Sequence, residues 1–255
     1  MANWQDPQTT GVGAATVSVP RAARDVGLRS YMLSVYNYMA SGVLLTGIVA
    51  LLFAGSPLFS AAFNVIQTSR GTVVQPNLLG WVITFAPLLV VIGMNFGAQR
   101  MRTSTVQALF WGFAVLMGLS LSTILYAYTG VSIAQTFFAT AAAYAGLSLW
   151  GYTTKRDLSG WGTFLIMGVW GLIAAMLINL VFLRSPGMDL AISAIGVLIF
   201  AGLTAYDTQK IKSMYFVVAG NGEAMAKTAI FGALSLYLDF INMFLFLLRL
   251  FGNRR

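Results

Sequence analysis

Few residues in this chain can do chemistry, and two aspartates lead them. Asp239 sits in the middle of Ala233-Leu-Ser-Leu-Tyr-Leu-Asp-Phe-Ile-Asn-Met-Phe-Leu-Phe-Leu-Leu-Arg249, a stretch otherwise fit for lipid. Asp207 closes the preceding apolar run, directly after Tyr206 and one turn before Lys210. A charged group at membrane depth is costly, and it faces a bundle interior, a cavity or a partner. Residues three, four and seven apart share a helix face. Ser235, Asp239, Asn242 and Arg249 therefore form one polar stripe, interrupted by Phe246. That stripe predicts a helix wrapped by other helices. Two carboxylates on adjacent antiparallel helices, held close in a poorly hydrated place, resist double ionisation and titrate as a pair. Ionised, the pair is a hard all-oxygen site that suits calcium, with Ser235 and Asn242 as supporting neutral oxygens. Protonated, it hydrogen-bonds to itself and gives up the cation.

A plainer reading of Asp207 is a local pair with Lys210. Asp239 has no such neighbour, since Arg249 lies ten residues away along the helix. Other chemistry is excluded by composition: the chain has no cysteine and no histidine. That removes disulfides, thiolate and His-zinc sites, Ser-His catalysis and the usual near-neutral pH sensor. The expectation is a protein that is not an enzyme and holds no tightly bound cofactor. Calcium enters only as a permeant or bound ion on Asp207 and Asp239.

The elements that must position these residues follow from hydropathy. The chain is 58% hydrophobic and 9% charged, whereas a soluble domain carries about 25% charged residues. The expectation is an all-α integral membrane protein. Residues 1–29 read as a soluble tail, and 30–255 as a membrane domain of seven transmembrane helices. Each crosses about 30 Å of hydrocarbon. Helix 1 is expected near Tyr31–Ala54 and helix 2 near Leu78–Ala98, kinked at Pro87, with a loop carrying Pro57, Arg70 and Pro76 between them. The uncharged run Thr103–Thr154 splits at Tyr128–Ser132 into helices 3 and 4. Helix 5 ends at Leu183, helix 6 spans Leu190–Tyr206, and a loop near Gln209–Lys227 leads to helix 7, near Thr228–Leu250. The net charge of +8 lies in short loops, so it reads as topology and headgroup contact rather than nucleic-acid binding. With a cytoplasmic N-terminus, ten Lys and Arg residues fall inside and only Arg70 and Arg184 in outer loops. Arg249, Arg254 and Arg255 then lie outside, against the rule, if helix 7 crosses fully rather than re-entering.

Ala205-Tyr-Asp-Thr-Gln-Lys-Ile211 and Ala233-Leu-Ser-Leu-Tyr-Leu-Asp-Phe-Ile-Asn242, followed by Phe246-Leu-Leu-Arg-Leu-Phe251, resemble the Bax inhibitor family, also called the transmembrane Bax inhibitor motif family. The likeness covers the seven-helix region and is specific at helices 6 and 7. It implies a pH-sensitive calcium leak channel of the bacterial cytoplasmic (inner) membrane, with helix 7 central and surrounded by helices 1–6. The family's aspartate sensor falls on Asp207 and Asp239. Its basic latch at the inner end of helix 2 falls on Arg100 or Arg102, paired with Asp207. Partners implied are the bilayer, calcium ions and, in some relatives, a membrane protease.

Two rival classes stand beside this. One is a non-conducting membrane modulator of a membrane protease or a stress response. The other is an intramembrane aspartyl protease, which also places a Tyr-Asp on its sixth helix. That class asks for Gly-x-Gly-Asp on the next helix, where this chain has Leu236-Tyr-Leu-Asp239. Its Pro-Ala-Leu signature is missing too.

Overall fold

The computed structural model describes residues 21–68, 71–97 and 100–254. The expected tail up to residue 20, and Arg70 and Arg255, lie outside the described residues. The first long helix, α1 (Arg21–Ala54), begins earlier than its apolar run, so the tail expected over 1–29 is already helical from Arg21. After it come α2 (Pro57–Ala62) and a hairpin of β1 (Phe63–Thr68) and β2 (Gly71–Pro76). The sequence had been read there as a loop. Its β-branched run, with Val65 opposite Val74 and Ile66 opposite Val73, favours a pleated pair instead. Phe59 stacks on Phe63 and on Tyr126, at 5.1 and 4.5 Å between centroids, and roots the hairpin on this end of the bundle.

The remaining helices are α3 (Leu78–Gly97, unbroken through Pro87), α4 (Thr103–Leu121), α5 (Ile124–Ala127), α6 (Gly130–Thr153), α7 (Ser159–Ile178, closed by a π turn at Asn179–Leu183), α8 (Pro186–Val218) and α9 (Gly222–Phe251). Six of the helical segments are long and apolar enough to cross a membrane. The 24-residue α6 is the long helix outside that set.

The helix carrying Asp239 is the most enclosed. In α9, 67% of the most apolar window is buried, against 17–39% in the other five. It is packed mainly by four helices, α1, α4, α6 and α8, while α3 lies against α4 and α7 against α8. The expected ring of six is therefore a ring of four with two outer helices. Large side chains fix the centre. Tyr237 is fully buried, and its hydroxyl meets Thr46 Oγ1 at 2.7 Å while Thr46 donates to Ala114 O, tying α9, α1 and α4 together.

The long loop expected after Asp207 does not form. No breaker stands before Gly220, so α8 continues eleven residues past Asp207 and buries Ile211 and Tyr215. The turn into α9 is only Ala219–Asn221, with Gly220 at φ +99°, a left-handed conformation that favours glycine. Asn221 then caps α9 through Ala224 N. At its far end, α9 reaches the turn between α5 and α6. Tyr128 pairs with Arg254, and Asn253 N donates to Ser132 Oγ. So α9 traverses the whole bundle, about 45 Å at helical rise, and does not fold back.

Candidate functional site

Asp239 is 4% exposed, and its Oδ2 has no hydrogen-bond partner among the described residues. Its neighbour Asp207 is half-buried on α8. The register of the α8–α9 hairpin is set by Ile211 packing where Gly232 has no side chain, and by Phe246 filling the gap left by Gly196. In that register Asp239 lies level with Thr204, three residues from Asp207, or about 4.5 Å of rise. That register sets the two carboxylates on neighbouring turns of adjacent helices, and Tyr144 packs on Phe240, the residue after Asp239.

The plainer local pair of Asp207 with Lys210 does not close as a salt bridge, although Lys210 stays within electrostatic reach of the carboxylate. Among the described residues the one salt bridge is Glu223–Lys227, at 3.0 Å on the surface. Lys210 instead leans over the Tyr206 ring, 5.8 Å from its centroid. Lys212 turns away as well, donating to Tyr152 O at 2.7 Å over the Tyr152 ring. Gln209 takes the N–H of Leu158 and donates to Arg156 O, pinning the α6–α7 turn to α8. In that turn Asp157 accepts from Ser159 N, and the hydrogen bonding with Ser159 holds its carboxyl below the usual value.

The expected arginine pairing is not formed. Arg100 and Arg102 are both exposed, and neither is ion-paired with Asp207. Met101 between them takes the inward position and packs against the core. The supporting residues differ too. Asn242 is half-buried and its amide donates back to Leu238 O at 2.8 Å. Ser235 is half-buried, and Arg249 is exposed, stacked near Phe246 and reaching Met176 Sδ.

What the sequence reading missed is a set of hydroxyls around the pair. Tyr36 Oη meets Ser148 Oγ at 2.6 Å, and Ser148 meets Thr208 Oγ1 at 3.0 Å. Thr208 and Thr204 each donate to the carbonyl one turn back on α8. Tyr144 is buried, has no partner for its hydroxyl, and sets its ring edge-on to Phe240 at 5.5 Å. α6 comes this close because Gly151 has no Cβ; one there would collide with the Ala205 backbone. An open cavity of about 510 Å³ between α1 and α6 is lined by Tyr36, Tyr144 and Ser148, with Arg29 at its edge. No cluster of three or more acidic, His or Cys side chains forms among the described residues. The arrangement offers one enclosed and one half-buried carboxylate on adjacent helices, with the hydroxyls of α6 and α8 on neighbouring turns.

Comparison with known proteins gives one consistent result. The family model described as Inhibitor of apoptosis-promoting Bax1 matches residues 28–255. The chain is 49% identical over 232 residues to the Uncharacterized protein RP147 of Rickettsia prowazekii, covering 91% of this chain and 92% of that one. It is 44% identical over 237 residues to the Inner membrane protein YbhL of Escherichia coli (strain K12), covering 92% and 95%. An Uncharacterized protein of Caulobacter vibrioides matches at 46% identity over 231 residues, 91% of each chain.

Proposed function

The chain belongs to the Bax inhibitor family, and we propose that it is a seven-span, pH-sensitive cation leak of a bacterial inner membrane. The observation that carries this is Asp239: a nearly enclosed carboxylate whose Oδ2 has no partner among the described residues, on the helix turn beside that of Asp207, in the most enclosed helix of the bundle. An ionised carboxylate is not kept there for stability, because desolvating it costs several kcal/mol that a hydrophobic side chain would not. The E. coli relative's name supports the membrane assigned. α6 is the seventh span on this reading. Its hydroxyls lower its hydropathy, but its buried positions are the polar ones, and Val131, Phe138 and Leu149 face outward.

The chemistry follows from proton count. With both carboxylates ionised, two negative charges in a dry site call for a divalent cation. Two carboxylates supply at most four oxygens, whereas calcium takes six to eight, so hydroxyls such as Tyr144 and Thr204 complete a loose shell. Loose binding is what conduction requires. One shared proton lets a carboxyl donate to its carboxylate neighbour, and the cation leaves. Closure of Arg100 or Arg102 on Asp207 is a second conformation in which an arginine takes the cation's place.

The test is calcium uptake into proteoliposomes containing only this protein, followed against pH. Wild type should show pH-dependent flux, and Asp239→Asn and Asp207→Asn should each lose that dependence. Absence of flux in wild type at every pH would overturn the leak reading in favour of a non-conducting modulator.

A further inference from the structure

The helix α6 is built inside out. Its buried residues are Ser132, Thr136, Thr140, Tyr144, Ser148 and Gly151. The five hydroxyls recur every fourth residue, which strings them along one ridge inclined to the helix axis, and each is at most 7% exposed. They span sixteen residues of α6, about 24 Å at helical rise. The apolar side chains point the other way: Phe138 is 71% exposed, Val131 67% and Leu149 64%.

Small residues, Ser and Thr among them, let transmembrane helices approach closely, but Tyr144 is not small, and its buried hydroxyl carries a desolvation cost that packing alone does not require. Thr140 gives its proton to Thr136 O within the helix, at 2.7 Å. A hydroxyl bonded in this way keeps its oxygen lone pairs for another partner. Where the ladder meets the aspartates, one polar atom on each side is unsatisfied. Tyr144 Oη and Asp239 Oδ2 are both more than nine-tenths buried and both without a partner among the described residues. At the opposite end, Ser132 receives hydrogen bonds from Thr129 Oγ1 and Asn253 N, beside the end of α9.

We propose that the ion's route from the aspartate pair to the α5–α6 end of the bundle runs along this ladder, through Tyr144, Thr140, Thr136 and Ser132, with Tyr144 as the first neutral oxygen ligand beyond the carboxylates. The proposal rests on the cation-leak reading above and adds the path to it. Phe137 packs edge-on against Phe240 and Phe244, at 5.5 and 6.2 Å. These rings lie beside the ladder just past Tyr144, and on this proposal they bar it in this conformation. Opening then requires a small separation of α6 from α9.

The chain has no cysteine, so single cysteines report access directly. In proteoliposomes at conducting pH, Thr140→Cys and Thr136→Cys should react with a membrane-impermeant cationic methanethiosulfonate and lose calcium flux. Phe138→Cys, on the lipid side, should keep its flux. Thr140→Val should lower flux about tenfold or more, as expected when a desolvated ion loses a polar partner, and Thr140→Ser should retain it. Wild-type flux in Thr140→Val with both cysteines unmodified overturns the route. Equal loss in Thr140→Ser assigns the position to packing and also overturns it. If wild type itself carries no calcium, the leak reading falls rather than the route alone.

Discussion

Asp239→Asn should stabilise this protein at high pH, and the size of the effect follows from the site. The carboxylate is 4% exposed and Oδ2 has no partner. An ionised group so placed costs several kcal/mol after relaxation, while a neutral amide with an unmade hydrogen bond costs about 1–3 kcal/mol. The difference favours the asparagine variant by about 2 kcal/mol. In a chain of this size that raises Tm by about 4–8 °C. In base the unfolded chain carries that charge in water, at no such cost. Wild type therefore loses stability as pH rises through and above the usual carboxylate range, and the variant does not. The two curves should meet in acid and separate in base. The assay is scanning fluorimetry of the purified protein in detergent, in chelator, across that range. Calcium at about a hundred times its Kd should then return about 2.7 kcal/mol to wild type and nothing to the variant. A variant less stable than wild type in base without calcium would refute the reasoning, because the ionised carboxylate would then have a stabilising partner.

Three further outcomes are expected. Gly151→Ala should cost about 1–3 kcal/mol by overpacking, and Gly151→Leu should abolish a monodisperse product, since a side chain there meets the Ala205 backbone; size-exclusion profiles and Tm check both. Tyr237→Phe should cost about 1 kcal/mol by losing its bond to Thr46. Thr46→Val should cost more, because it breaks the links to both Tyr237 and Ala114, and the double variant should add little to Thr46→Val alone in thermal unfolding. Asp157→Ala should remove a shallow acid-side loss of stability. Its lowered carboxyl comes from hydrogen bonding with Ser159, so its contribution is present above the carboxylate range and lost as pH falls; Tm against pH reads the slope.

The aspartates are legible in sequence because a charge inside an apolar run has no innocent place in lipid. That argument marks both Asp207 and Asp239, and it foretells that α9 is the enclosed helix. It does not find where α8 ends. Lys210 and Lys212 look like loop residues on hydropathy, yet on the helix they lie against Tyr206 and Tyr152 and carry α8 beyond the apolar run. The β hairpin was hidden by its prolines, whose positions at Pro57 and Pro76 bound the elements rather than break them. The hydroxyl ladder of α6 was visible as a four-residue period, but uncharged polar residues barely move a hydropathy average. Only burial distinguishes Thr140, wholly enclosed, from Thr153, exposed at the helix end. Arg100-Met-Arg102 could not be resolved from sequence because the turn decides which side chain faces inward, and it turns Met101 in.

That turn also makes the latch testable. Arg100 and Arg102 start exposed at the α3–α4 junction, and α3 is an outer helix resting on α4. On the proposed reading, closing on Asp207 moves the end of α3 across α4. The bridge so formed is partly wet, worth about 0–1 kcal/mol, so removing it should change the closed-to-open ratio by up to about fivefold. Arg100→Gln and Arg102→Gln should differ, since only one guanidinium can take the site. The active one should raise calcium flux by that factor in the Asp207 background and leave it unchanged in the Asp207→Asn background, the signature of a direct pair. Equal effects of either arginine variant in both backgrounds would mean that the two residues act only through headgroup contact and surface charge, and that no latch on Asp207 exists.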